Sequence, residues 1–570
     1  MTACRLLLTC NFRATARSRR VACEAASPEP DSVRESRACG HRLISQAYVT
    51  LTGLDALSAR QKAAGWLLLS LWASLRLALI PSDAAITPGF SHDSAYLSIV
   101  ARNLQAGLGY VNDAHWLLFL NPPRLPMPYH NANPLYPSLS AGVAWLAHTD
   151  TARGGAIVSA LSNVLLAFSA FWLVRRLWKS FWLGVAAAAA VALWPSNFRD
   201  SFAILPDALA AACAITAVAI ALHGGGWWRY AVAGVWLGAA WLARSSALLV
   251  LPGLALWIYF QDRKRLALNL GCLLAGAGLA ASPWLVRTAR VRGSPFASDN
   301  EFYWLQEYHA HKAHSAVDQY WRSLTPPPGL GEIVRTEPLE FVTFLARGVP
   351  AYIYMLLAEA ADWSKLAAAA LLTAAALALS ELNRRAIRSP AFAAAAVTVI
   401  LSLVSLLPRP NTVEIRYLAA ANTLLAIGMV FPFSPAASGR LAVWGRSLLI
   451  VCVLVFAVPQ DLRVLRMAWP DPQAADYKAT VLAASSRVNP GGPVITDSPY
   501  FYTYFTGLPA ISPPYPSKRE LLEIMRRYGA RYVLLPRARL DYYYPGAPES
   551  LRPELAVDAE LGADVLLKLI

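Results

Sequence analysis

Asp93 stands in a polar stretch that opens just past an apolar run. The stretch reads Ser91-His92-Asp93-Ser94-Ala95-Tyr96, continues through Ala101-Arg102-Asn103-Leu104 and Gly107-Leu108-Gly109-Tyr110, and closes on Asn133-Pro134-Leu135-Tyr136-Pro137. Ionisable groups are costly near hydrocarbon, so a carboxylate here marks chemistry or transport. The bland alternative is an interfacial carboxylate solvated by headgroups. Asp207 precedes another apolar run, where it either caps a helix or contacts a metal or substrate. Asp200 lies seven residues earlier and shares a face with Asp207 if that stretch is helical.

Cations gather near the same segments. Arg287, Arg290 and Arg292 follow an apolar run, Arg244 ends another, and Arg416 stands beside Tyr417. On the outer side of a membrane such residues oppose the usual basic-inside trend, which suits lipid-phosphate contact as well as headgroup anchoring. Glu307, Tyr308, His309, His311 and His314 form a further polar cluster that, taken alone, also reads as a solvated turn. The 19 Trp and 23 Tyr suit interfacial belts and need not form a sugar platform.

The elements that position these groups follow from composition. The 570 residues are 56% hydrophobic and 15% charged, with a mean hydropathy of +0.39. A soluble chain carries about a quarter charged residues, so the runs of roughly 15–20 apolar residues read as membrane helices. Net charge is +16, but its basic residues fall in short runs between apolar segments rather than on one nucleic-acid-binding face. Cys4, Cys10, Cys23 and Cys39 lie near the start, and Cys213, Cys272 and Cys452 lie in apolar runs, with no disulfide framework or zinc spacing. The Arg-rich residues 1–62 read as a disordered cytoplasmic tail or an over-extended start; Leu6-Leu7-Leu8 is too short for a signal-peptide core.

About eleven spans are expected, near 64–81, 154–174, 181–195, 205–222, 230–243, 246–260, 267–284, 362–380, 390–408, 417–433 and 446–459. Arg175-Arg176-Leu177-Trp178-Lys179, Arg263-Lys264-Arg265 and Arg384-Arg385 with Arg388 anchor the cytoplasmic side. Parity then allows only one of 134–148 and 154–174 to span. The first opens with Pro134 and Pro137 and reads as an interfacial or re-entrant helix. Residues 341–359 become an outer amphipathic helix interrupted by Gly348 and Pro350. Loops 82–153, 196–204, 285–361 and 409–416, and the tail from 460, all fall outside. In that tail Pro493–Asp497 and Arg531–Pro536 read as strands and Lys518–Tyr528 as an amphipathic helix capped by Gly529, which suggests a small α/β domain over 460–570. It has no Gly-rich phosphate fingerprint.

In order, these motifs resemble the GT-C superfamily of membrane glycosyltransferases: protein O-mannosyltransferases, the aminoarabinose transferase acting on lipid A, and bacterial family-39-like relatives. Asp93 through Tyr110 resembles the first external loop of that superfamily. Asn133-Pro134-Leu135-Tyr136-Pro137 resembles its Pro-Pro-Leu-Tyr-Pro stretch, with Asn133 in place of a proline. Trp194-Pro195 through Leu205-Pro206-Asp207-Ala208-Leu209 resembles the second loop, and Leu242-Ala243-Arg244, Pro283-Trp284-Leu285-Val286-Arg287 and Ile415-Arg416-Tyr417 also fit. The resemblance runs from about residue 64 to the end of the sequence and rests on the order of the motifs, none of which is specific alone.

The resemblance implies an α-helical polytopic membrane protein of GT-C type with a small C-terminal α/β periplasmic domain. It implies transfer of a sugar, with inversion, from a polyprenyl-phosphate donor to a glycan, lipid or protein outside a bacterial inner membrane. Asp93 would be the base, since an acceptor hydroxyl needs one, and would also contact a metal. Arg287, Arg290, Arg244 and Arg416 would hold the donor phosphate. A divalent ion, Mg²⁺, Mn²⁺ or Ca²⁺, would sit among Asp93, Asp207 and Asp200; His309 or His311 as a ligand would favour Zn²⁺ or Mn²⁺. The rival readings are a polysaccharide or lipid transporter, which predicts mid-span polar groups and internal repeats, and an inactive assembly subunit.

Overall fold

The described residues form apolar helices and a mixed sheet. The computed structural model describes residues 59–350 apart from 129–132, 224–225 and 315, residues 390–404, positions 420, 423, 424, 427 and 462, and residues 464–570 apart from 490 and 516. The expected spans 362–380 and 446–459, most of 417–433, the loop 409–416 and residues 1–58 lie outside the described residues.

Helix α1 (Ala59–Ala78) is Leu-rich and stops before Pro81. The segment after it, expected as a loop, carries a helix, α2 (His92–Gln105). Ser91 caps α2 by accepting the Ser94 amide at 3.3 Å, and Asp93 in the first turn and Arg102 in the last both suit the helix dipole. These local signals start a helix in a stretch too polar to count as a span; Gly107, at φ 74°, follows the helix end. α3 (Leu135–Leu146) has 12 residues, about 18 Å, and is too short to cross a bilayer.

α4 (Thr151–Trp178) follows, capped by Asp150, then α5 (Phe181–Ala192), α6 (Asp207–Leu222), α7 (Trp228–Ala243), α8 (Val250–Gln261), α9 (Leu266–Arg292) and α10 (Pro390–Val404). α5 is shorter than the expected span 181–195, because the chain breaks at Trp194-Pro195 and restarts as a short helix, Pro195–Asp200. α9 runs eight residues past its expected end at 284. Pro283 lies inside it, and the arginines of its last turns complement the dipole before Gly293 caps it at φ 76°. Arg287, Arg290 and Arg292 therefore sit on a helix rather than a loop.

Among the described residues, Thr151–Trp178 and Arg263–Arg292 are long and apolar enough to cross a membrane, and three shorter apolar helices accompany them. Small residues let the helices close up: a Cβ at Gly238 on α7 would come within 2.6 Å of the Ala277 carbonyl on α9. Leu67, Leu68 and Leu71 on α1 and Leu279 on α9 are 57–71% exposed, an apolar surface that suits lipid rather than water.

Residues 285–361, expected as a loop, hold helices Asn300–Trp304, Gln306–Lys312, Val317–Trp321 and Leu330–Thr336. Residues 338–350 are helical, so the interruption expected at Gly348 is absent, and 351–359 lie outside the described residues.

The C-terminal part is α/β. Strands β1 (Val111–Asn112) and β3 (Met127–Pro128) pair antiparallel with each other. Strands β2 (Ala114–His115), β4 (Val494–Thr496), β5 (Ala510–Ile511), β6 (Tyr532–Pro536), β7 (Leu555–Leu561) and β8 (Asp564–Leu569) form one sheet in the order β2-β5-β4-β6-β8-β7. The first four run parallel, and β8 and β7 are antiparallel additions. Helices α11 (Pro472–Ser485), α12 (Pro499–Thr506) and α13 (Lys518–Tyr528) pack on it. α13 buries Leu521, Leu522, Ile524 and Met525, and Gly529 ends it at φ 68°. The edge strand β2 comes from the segment after α1, so the sheet is not built from residues beyond 460 alone. Arg102 on α2 tightens the joint, donating to the Tyr504 and Thr503 carbonyls at 3.1 and 3.2 Å, at the C-terminal end of α12.

Candidate active site

Asp93 lies in the first turn of α2, half-buried, where three separate stretches of chain meet. Its own helix supplies His92 and Tyr96. The strand end after β2 supplies Trp116, the helices after α9 supply Tyr303, Trp321 and Arg322, and α12 supplies Tyr500 and Phe501. Trp116 stacks on Tyr500 with ring centres 6.0 Å apart and meets His92 edge-on at 5.3 Å. His92 also packs on Phe501 at 4.6 Å, Tyr96 on Tyr500 at 5.4 Å, and Tyr303 on Trp321 at 4.5 Å.

Burial raises the Tyr303 and Tyr500 phenols well above their usual range, and the charges of Asp93 and Asp299 add to it. Both phenols therefore stay protonated and face two carboxylates. Asp299, which the sequence reading missed, is buried and accepts a hydrogen bond from Arg292 at 2.5 Å. Burial lowers the His92 pKa; Asp93 and Asp497 oppose that shift and Arg322 adds to it. No motif spacing pointed to Asp299, Arg322 or Asp497, because only folding brings them to Asp93.

The expected phosphate ligands are partly engaged already. Arg244 pairs with Asp207 through Nη1, and the second oxygen of that buried carboxylate has no hydrogen-bond partner. Arg287 donates to the Tyr110 carbonyl at 2.9 Å and lies between the Tyr110 and Trp284 rings at 5.1 and 4.6 Å, while its Nη1 is buried without a partner. The Tyr110 hydroxyl reaches the Asn133 carbonyl at 3.1 Å, and Asn133 in turn donates to the Trp241 carbonyl and, at 3.3 Å, to Ser245. A run of contacts thus joins the motifs that lie far apart in sequence, from Arg287 through Tyr110 and Asn133 to the end of α7, where Arg244 holds Asp207. Arg290 is exposed, and Arg416 lies outside the described residues.

The expected metal ligands are not brought together. Asp200 ends a short helix and Asp207 begins another after an intervening turn, so they share no helix face. His309 and His311, two positions apart on one helix, point to different sides: His309 stacks on Tyr320 with ring centres 5.5 Å apart, and His311 packs against Phe344. Burial holds His309 down to about 4. Tyr308 donates to Glu337 at 2.8 Å, and Lys312 pairs with the same carboxylate. These contacts make the cluster part of a packed core. Among the described residues no three His, Cys, Asp or Glu side chains gather into one group.

Arg76 was not singled out by its sequence context. It is 2% exposed near the C-terminal end of α1, donates to Ser201, and lies over the rings of Phe202 and Phe198 at 3.8 and 5.3 Å. It thereby pins the segment leading into Asp207.

No family model matches the sequence, and no curated protein matches it. Solved structures do. The archaeal oligosaccharyltransferase AglB of Archaeoglobus fulgidus, solved with an inhibitory peptide and a dolichol-phosphate, is 13% identical with a TM-score of 0.53, over 84% of this chain and 70% of its own. The same organism's oligosaccharyltransferase, in complex with Zn and sulfate, is 12% identical with a TM-score of 0.53, over 86% and 71%. ArnT of Cupriavidus metallidurans, bound to undecaprenyl phosphate, is 13% identical with a TM-score of 0.53, over 90% of this chain and 98% of its own.

Proposed function

We propose that this chain, whose fold is that of the GT-C membrane glycosyltransferases, is itself a membrane glycosyltransferase. It takes a sugar from a polyprenyl-phosphate donor and passes it to a glycan, lipid or protein acceptor on the outer face of a bacterial inner membrane. The observation that carries the reading is the position of Asp93. It stands at a helix start, half-buried, between an apolar helical body on one side and a sheet and its loops on the other. A lipid-linked donor approaches from the first and a polar acceptor from the second.

In the transfer, the acceptor oxygen attacks the anomeric carbon and Asp93 takes its proton. The bond from that carbon to the phosphate oxygen breaks, the configuration inverts, and polyprenyl phosphate leaves. The free Nη1 of Arg287 and the exposed Arg290 neutralise the departing phosphate. The solved neighbours bound to a dolichol-phosphate and to undecaprenyl phosphate support a lipid-phosphate donor. Among the described residues no three metal-ligating side chains form one group, and no step runs through an ion.

The test is transfer from a panel of radiolabelled polyprenyl-phosphate sugars to envelope fractions by the purified protein. Transfer is expected with at least one donor. Asp93→Asn keeps the volume, removes the proton acceptor and should cut the rate at least ~100-fold without loss of donor binding. No transfer from any donor, or near wild-type turnover in the variant, defeats the reading.

A further inference from the structure

We propose that Arg322 is a positioning residue for this site, holding Trp116 and, through it, His92 and Tyr500 around Asp93. The proposal rests on the reading of Asp93 as the base.

The Arg322 side chain is 2% exposed. It belongs to the stretch between α9 and α10, yet it donates to residues of the C-terminal sheet. Nη2 donates to Asp497 at 2.6 Å, and Nη1 donates to Ser512 at 2.9 Å and to the Pro513 carbonyl at 3.4 Å. Tyr543 donates to the same Asp497 oxygen at 2.6 Å. The guanidinium lies 4.4 Å from the Tyr543 ring centre and 5.3 Å from that of Trp116.

Asp497, Ser512 and Trp116 are the first residues after the parallel strands β4, β5 and β2. One side chain from a fourth stretch therefore gathers three strand ends. The carboxyl ends of parallel strands are where α/β sheets present their functional groups, and here they face His92 and Asp93.

Trp116 transmits the arrangement. Its ring stacks on Tyr500, meets His92 edge-on and leans on Trp321 at 6.2 Å. Tyr500 bonds to Tyr303, and both phenols lie within reach of the Asp93 charge. A shift of Trp116 would therefore move both walls of the cleft. β2 has two residues and cannot fix the Trp116 ring by its ladder bonds alone.

Arginine suits this task and lysine does not. A planar guanidinium bonds in its plane to a carboxylate, a hydroxyl and a carbonyl while its face stacks on rings; an ammonium offers a point charge. Lysine at 322 would keep the ion pair but lose the stacking and the fork. Replacing both charges by neutral groups is often tolerated in stability, because neither partner is left buried and charged alone. Stability and positioning are thus separable.

The experiment compares wild type, Arg322→Lys, the double variant Arg322→Met with Asp497→Asn, Trp116→Leu, and Arg322→Lys combined with Trp116→Leu, each assayed with the donor that wild type uses. Melting temperature and donor-lipid binding are read on every one. Arg322→Lys and the neutral double variant should melt close to wild type with unchanged donor KM and with kcat down roughly tenfold or more, the scale of a small misplacement of reacting groups. Trp116→Leu should lose as much, and adding Arg322→Lys to it should cost little further, because both changes act through one contact. Wild-type kcat in Arg322→Lys or in the neutral double variant overturns the proposal, as does full additivity with Trp116→Leu. A wild type that transfers nothing overturns the reading of Asp93 and this role with it. A wild type that transfers while the variants match it overturns the role of Arg322 alone.

Discussion

Gly89 and Ile204 are backbone partners: the Gly89 carbonyl accepts the Ile204 amide at 3.2 Å. A Cβ at position 89 would lie 2.5 Å from the Phe202 carbonyl, so the two strands of chain touch through a missing side chain. Gly89 leads into Ser91 and Asp93, and Phe202 and Ile204 lead into Asp207. Backbone contact thus fixes the distance between the two acid-bearing segments, and Arg76 presses on the same place from α1.

Gly89→Ala should therefore destabilise the protein by about 1–3 kcal/mol, the range for forcing atoms into a packed site. The expected result is a lower melting temperature in detergent together with slower transfer. A melting temperature equal to wild type would contradict the close contact.

Asp207 and Arg244 form a partly buried pair, with the carboxylate fully buried and the arginine 20% exposed. Asp207→Asn removes the carboxylate charge from this pair and should cost about 3 kcal/mol or somewhat less, given that the arginine reaches solvent. The combined change Asp207→Asn with Arg244→Met should recover part of that loss. Melting curves of the three proteins check the ordering. Equal stability of the single variant and wild type would mean that the pair contributes nothing.

Arg287 has one free donor beside its bond to Tyr110. Arg287→Gln should raise the donor KM about tenfold or more, the loss of one charge-assisted contact of roughly 1.5–3 kcal/mol, with a smaller change for Arg290→Gln. Steady-state kinetics over a range of donor concentrations read this directly. An unchanged KM in Arg287→Gln would send the phosphate elsewhere.

His115 is fully buried in β2, neither ring nitrogen has a hydrogen-bond partner, and burial lowers its pKa from 6.5 to about 3. The folded protein keeps the ring neutral where the unfolded chain would protonate it. Its contribution to stability is therefore complete above about pH 6.5 and falls as the pH drops toward 3, by up to about 1.4 kcal/mol for each pH unit. His115→Phe should flatten the acid side of the stability profile, as measured by melting temperature between pH 7 and 5. An unchanged slope would show that other groups govern acid unfolding.

Much of this protein is written locally in its sequence. The apolar runs give α4, α6, α7 and the first part of α9, because a long stretch without charge acts within one element. The apolar face of Lys518–Tyr528 and Gly529 specify α13, and the apolar runs on either side give its flanking strands. The ordered motifs lead to Asp93, Asp207, Arg244 and Arg287. What they do not state is which of these groups are already engaged. Arg244 is taken by Asp207 and Arg287 by a backbone carbonyl, while His309 is folded into a core, because buried charges and polar groups must find partners and the fold supplies the nearest ones. Nor does a two-residue strand carry any periodicity. β2 joins β5 across nearly four hundred residues because an open edge and the residues around Trp116 are buried by the pairing, and through that pairing Arg322, Asp497 and Tyr500 reach Asp93. Local pattern fixes elements within a turn or two; long-range burial and hydrogen-bond satisfaction decide which elements share a site.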